Sequence, residues 1–207
     1  MAITQPNSRR RSLVLAVSFF GMCGRSSSIF AASIPMNEQQ FWKIIEVVKG
    51  EAGADVDARP AVLRKHLLLL EPDAIQRFQQ RYEALLLEAN SWNLWAAAYV
   101  MNDGCSDDGF KYFRDWLISE GEQIYKAAVA KPDSLASLAK RDNFELEAFG
   151  YAALKAYSEK GAGELERDFA VEVAVTSGEE WIDEDLPTTL PLLTAKYRSE
   201  NASELKP

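Results

Sequence analysis

The chain has 207 residues, 47% of them apolar and 11% aromatic, which suits a folded core and argues against wholesale disorder. Its formal charge is −8, and because the first 35 residues hold four arginines and no acid, residues 36–207 carry −12. A body that acidic repels phosphate backbones, so nucleic acid is excluded as an expected partner and a basic protein is favoured.

In chain order, "SRRRSLVLAVSFFGMCGRSSSIFAAS" has a basic start, an apolar run from Leu13 to Met22 and small residues at Ala31 and Ala32. That pattern resembles an export signal, with a twin-arginine flavour at Ser8-Arg9-Arg10. Against it, Arg25 interrupts the approach to any cleavage site, and Met22 precedes Cys23 where a lipoprotein signal wants a small residue. The other reading makes Met36 the true start. Residues 1–35 are expected outside the fold either way: a start at Met36 implies a cytoplasmic protein, and a cleaved leader implies an exported one. The apolar run is too short for a bilayer, so no membrane span is expected.

From Met36 the pattern is helical. Asn37, with Gln40 in the capping-box position, opens a helix whose Phe41, Ile44, Ile45 and Val48 share a face and which ends near Gly50 or Gly53. Asp57 with Pro60 opens a second, lined by Leu63, Leu67 and Leu70. Pro72 suits the first turn of a third, with Ile75, Phe78, Tyr82, Leu85, Leu86 and Ala89 in period. "WNLWAAAYVM" is apolar all round and reads as central. Ser106 starts the next helix, which runs to Gly121. Glu122–Ala130, "PDSLASLAK" and a helix capped by Asn143 follow.

After Gly161 the regularity fails. "FAVEVAVTSG" alternates with period two but has no partner strand, so it reads as a loop or an extra helical turn. The expected architecture is all-α, a single multi-helix domain of about seven to nine helices. Residues 36–160 form its helical core, and 161–207 form an irregular acidic segment with a short terminal helix.

His66 is the only histidine, and Cys23 and Cys105 are the only cysteines. That inventory supports neither a disulfide framework nor a histidine-rich metal centre, so no metal and no cofactor are expected. A Cys105–His66 dyad is formally open without any local signature. His66, on a leucine-rich helix, reads as a boundary residue.

The densest motif is "DGCSDDGFKYFRDWL". Ser106 is placed to cap, with Asp107 and Asp108 opposing the helix dipole in the first turn. Adjacent helical positions diverge by about 100°, which makes the two acids poor joint chelators of a metal. Arg114 lies among apolar neighbours, where a guanidinium needs a carboxylate and an aromatic face. One reading is a structural ion pair with an acid of the C-terminal segment. The other is an anion-binding arginine at the rim of a pocket walled by Trp92, Trp95 and Tyr99, with Asp103 and Trp116 nearby.

"FWKII", "WNLWAAAYVMNDGCSDDGFKYFRDWLISEG" and "PDSLASLA", in this order and spacing, resemble the bacterial family catalogued as domain of unknown function 4240. The resemblance spans Met36–Tyr157, with "DEDLP" as a looser echo. It implies no catalytic residues, and directs attention to the aromatic–acidic segment. Two functions are compatible with the residues. One is a non-catalytic protein-binding or accessory (immunity-like) module. The other is an enzyme on an anionic small molecule, with Asp107 or Asp108 as general base and Arg114 as clamp.

Overall fold

The computed structural model describes residues 35–198, so the expectations for residues 1–34 lie outside it. Helix α1 spans Glu38–Ala52, and the Asn37 side chain accepts the Gln40 N–H at 3.0 Å, as the capping pattern requires. Helix α2, Arg59–Leu67, is preceded by a 3-10 turn at Val56–Ala58. The cap there is Asp55, which accepts the Ala58 N–H, and not Asp57. Helix α3, Pro72–Glu88, carries its proline in the first turn and buries Ile75, Phe78, Tyr82, Leu85 and Leu86.

Helix α4, Trp92–Met101, is capped by Ser91. Helix α5, Asp107–Ser119, is capped by Ser106, whose Oγ accepts the Gly109 N–H at 3.1 Å. The core lies along α5, where Phe110, Phe113, Trp116, Leu117 and Ile118 are all buried. The expectation of an α4 buried all round holds for its alanines and for Leu94 and Val100. Trp92, Trp95 and Tyr99 are only partly buried.

Helix α6, Glu122–Ala130, ends before Pro132. The next two predicted helices are corrected by contacts distant in sequence. "PDSLASLAK" forms a 3-10 turn, Pro132–Ser137, and its Asp133 carboxylate accepts the N–H groups of Leu192 and Leu193. Asn143 caps nothing. The Phe144 N–H goes to Asn102 Oδ1 and the Leu146 N–H to Tyr112 O, which hold this stretch extended. The helix beyond is split into α7, Glu147–Gly150, and α8, Ala152–Glu159.

"FAVEVAVTSG" contributes one helical turn, α9, Ala170–Val173. It also supplies an isolated bridge from Ser177 to Ser91, in which the Trp92 N–H donates to Ser177 O at 2.9 Å. Single-turn α10, Leu186–Thr189, leads to α11, Pro191–Tyr197, and Leu186, Leu190 and Leu193 are buried. The all-α expectation stands, with eleven helices among the described residues where seven to nine were expected, three of them single turns. No helix of the described residues is long and apolar enough to cross a membrane.

Candidate functional site

Positions three and four apart along α5 share a side of the helix, so Asp107, Asp108, Lys111, Arg114 and Asp115 collect towards one region. There α5 meets α3 and the α7–α8 turn around a cleft of about 260 Å³. Tyr82, Glu83 and Leu86 line it from α3, Gly150 and Tyr151 from the turn, and Arg167 and Val171 from the chain beyond α8. That last side is tied down by side chains of α3. Gln76 exchanges two hydrogen bonds with the Glu166 backbone, and buried Glu83 accepts the Asp168 N–H at 3.1 Å and the Gln79 amide at 2.8 Å.

Asp115 is 2% exposed, and its Oδ1 accepts the Tyr82 hydroxyl at 2.5 Å. Gly150 lies flat against the carboxyl group, where a Cβ would come within 2.9 Å of Oδ2. Burial pushes the Asp115 carboxyl up to about 7, opposed by the Tyr82 hydrogen bond and by the charges of Lys111 and Arg114. Burial first, and the Asp115 charge second, hold the Tyr82 phenol well above its ordinary value, so its O–H remains a donor.

Arg114 is 7% exposed, and burial lowers its pKa from the usual arginine value without discharging it. Its Nη1 donates to Leu86 O at 2.9 Å and its Nε to Phe110 O at 3.4 Å, with Cζ 4.6 Å from the Phe110 ring centroid. Among the described residues no acid of the C-terminal segment pairs with it, where an ion pair is expected: backbone carbonyls and an aromatic face hold the guanidinium. Nη2 has no hydrogen-bond partner among the described residues, which leaves one charged donor for the cleft.

The predicted site residues divide among several places. Asp107 and Asp108 line the cleft with Arg114 as exposed groups on the first turn of α5. Trp92, Trp95 and Tyr99 do not wall it. Trp92 stacks on Trp95 at 5.1 Å and Trp95 on Phe110 at 4.9 Å, a column of rings that ends at the residue backing Arg114. Tyr99 instead packs on Trp181 at 4.7 Å, with Arg198 nearby. Asp103 is exposed and adopts φ 54°, the left-handed turn that ends α4. Trp116 lines a different cavity, with Val56 and Phe144.

Burial raises the Cys105 thiol to about 12, so it is no thiolate, and the His66 ring lies 2.7 Å from Glu51. No group of three or more His, Cys, Asp or Glu among the described residues is placed to hold a metal ion. Asp115, Tyr82 and Gly150 are the groups that sequence reasoning missed. The available signal was an aspartate in the middle of "FRDWLIS", a stretch too apolar to leave a carboxylate in water.

Comparison with curated proteins and with solved structures gives no match. The profile of the family described as protein of unknown function, DUF4240, matches residues 36–159. That span holds all the cleft-lining groups named above except Arg167 and Val171. The chain belongs to the DUF4240 family.

Proposed function

We propose that the chain is an enzyme acting on a small anionic molecule bound in this cleft. In this reading Arg114 takes the negative charge and Asp115 gives or accepts the proton. The observation that carries it is the convergence, in one cleft, of a buried guanidinium with an uncommitted N–H and a buried carboxyl whose one hydrogen-bond donor is Tyr82 and whose pKa is raised by burial. Asp107 and Asp108 are less suited to the proton-transfer role, because both are solvated and the dipole of α5 already accounts for them. They stay at the rim, where their charge selects against ligands that carry several negative groups.

The test is calorimetric titration of inorganic phosphate, acetate and citrate into the wild-type chain, Arg114→Gln and Arg114→Lys. At least one anion should bind, with affinity reduced about tenfold or more in Arg114→Gln and less in Arg114→Lys. Absence of binding by all three, or equal binding by Arg114→Gln, would sink the reading. A protein-binding role has its own support in the exposed acids Glu179, Glu180, Asp183, Glu184 and Asp185 around Ile182, which is 59% exposed. Charge reversal there, followed by co-purification, tests that role separately.

A further inference from the structure

Away from the cleft, a groove of about 460 Å³ lies between α1, the end of α2 and the start of α3. Ile44, Val47, Leu69 and Leu70 line it together with Lys43 and Arg77, and no acid does. Val47 is 46% exposed and Leu69 77%, so two large apolar side chains stand in water at its lips. Neither Lys43 nor Arg77 has a side-chain partner among the described residues. The neighbouring Glu51 is already committed, to Lys65 at 2.5 Å and to His66 at 2.7 Å. The body around this groove carries a formal charge of −12. An apolar groove with cations and no acid on such a body suits an apolar side chain flanked by acids.

The same chain carries a segment of that chemistry. Ile182 is exposed between Glu179, Glu180, Asp183, Glu184 and Asp185, which are exposed as well. Among the described residues only Asp183 of these acids has a basic partner, Arg198. The segment is anchored on both sides of Ile182. Before it, the Trp92 N–H donates to Ser177 O and Trp181 packs on Tyr99; after it, Leu186 is buried. Ile182 is therefore presented on an ordered turn, and its binding needs little further ordering. These anchors lie on α4 and in the core, and no residue of the segment lines the groove, so the two do not meet within one chain.

We infer that the groove receives the Ile182 segment of a second copy of this chain. Ile182 lies against Val47 and Leu69, and the acids beside it face Lys43 and Arg77. The opposite charges at the rim set the register and disfavour other pairings. The contact is head to tail. Each copy gives its groove to one neighbour and its segment to another, which produces a closed ring or an open chain. One turn seated in one groove is a small interface, so the association is weak.

The experiment is sedimentation equilibrium of the full chain from about 10 µM to about 1 mM, where the wild type should self-associate. Leu69→Asp removes the groove and Ile182→Lys removes the segment, and both side chains are exposed, so neither change disturbs the core. Each variant alone should associate about tenfold more weakly than wild type, or less. Mixed in equal amounts, the two variants should form a dimer and nothing larger, because one intact groove then meets one intact segment. A wild type that stays monomeric at the highest concentration would overturn the proposal. Association that either variant retains in full, or a mixture that forms no dimer, would overturn it too. None of these results bears on the Arg114 cleft, which is scored by Arg114→Gln.

Discussion

Among the described residues two aspartates are buried, in two regions, and the surroundings of each say different things about its role. At the C-terminal dock, Asp133 is 3% exposed and accepts the N–H groups of Leu192 and Leu193, orphan donors at the start of α11 that no earlier turn can satisfy. Its charge is matched by backbone donors, and it fastens the last helix to the turn after α6. In the cleft, Asp115 is as deeply buried but has a single neutral donor, Tyr82, and faces Gly150 on another side. An ionised carboxylate there is under-compensated, which is why its pKa rises to about 7. The dock spends its aspartate on stability. The cleft keeps one at a cost to stability above neutral pH, as expected of a group retained for chemistry.

Substitutions on either side of this contrast should separate the roles. Asp133→Ala leaves a buried N–H at Leu193 without an acceptor and frees α11, and should cost about 2–3 kcal/mol in urea unfolding. It should also make the chain after Gly178 more sensitive to protease. Gly150→Ala drives a methyl group into the Asp115 carboxyl and should cost about 2 kcal/mol, with weakened anion binding in the cleft.

Asp115→Asn should act through pH. The native carboxyl, near 7, holds a proton that the unfolded chain releases near 4, so wild-type stability falls as pH rises between those values and levels off above 7. Asp115→Asn should remove a slope of about 1 kcal/mol per pH unit, so that the variant gains on wild type as pH rises from 5 to 8. Chemical unfolding across that range measures it, and parallel curves would contradict the contrast with Asp133. The smallest effects belong to the rim. Asp107→Asn and Asp108→Asn should each cost about 0.3–1 kcal/mol of α5 stability through the helix dipole. Neither should abolish cleft activity, which is read with whichever anion the titrations identify.

Features set by neighbouring residues were legible in the sequence, and those set by distant partners were not. Asn37, Ser106 and Pro72 begin helices where their local signals say, because cap and capped N–H lie within one turn. Asn143 and "PDSLASLAK" misled because their hydrogen bonds go elsewhere: Phe144 to Asn102 across α5, and Asp133 to Leu192 and Leu193. The site behaved in the same way. Arg114 stood out as a charge among aromatic residues, and it does line the cleft with Asp107 and Asp108. Tyr82 and Gly150 carry no signal, since each matters only through its contact with Asp115. An apolar helix suggests that Trp92, Trp95 and Tyr99 wall a pocket, whereas Trp92 stacks on Trp95, Trp95 on Phe110, and Tyr99 packs on Trp181.

The most direct test of the cleft is the titration of the Asp115 carboxyl carbon by carbon-13 NMR, in the wild-type chain with Asp115→Asn for assignment. A midpoint near 7 is the predicted result and places a proton-exchanging group beside Arg114 at neutral pH. A midpoint near the ordinary aspartate value of about 3.9 would contradict the account, because Asp115 would then be a permanently ionised structural residue.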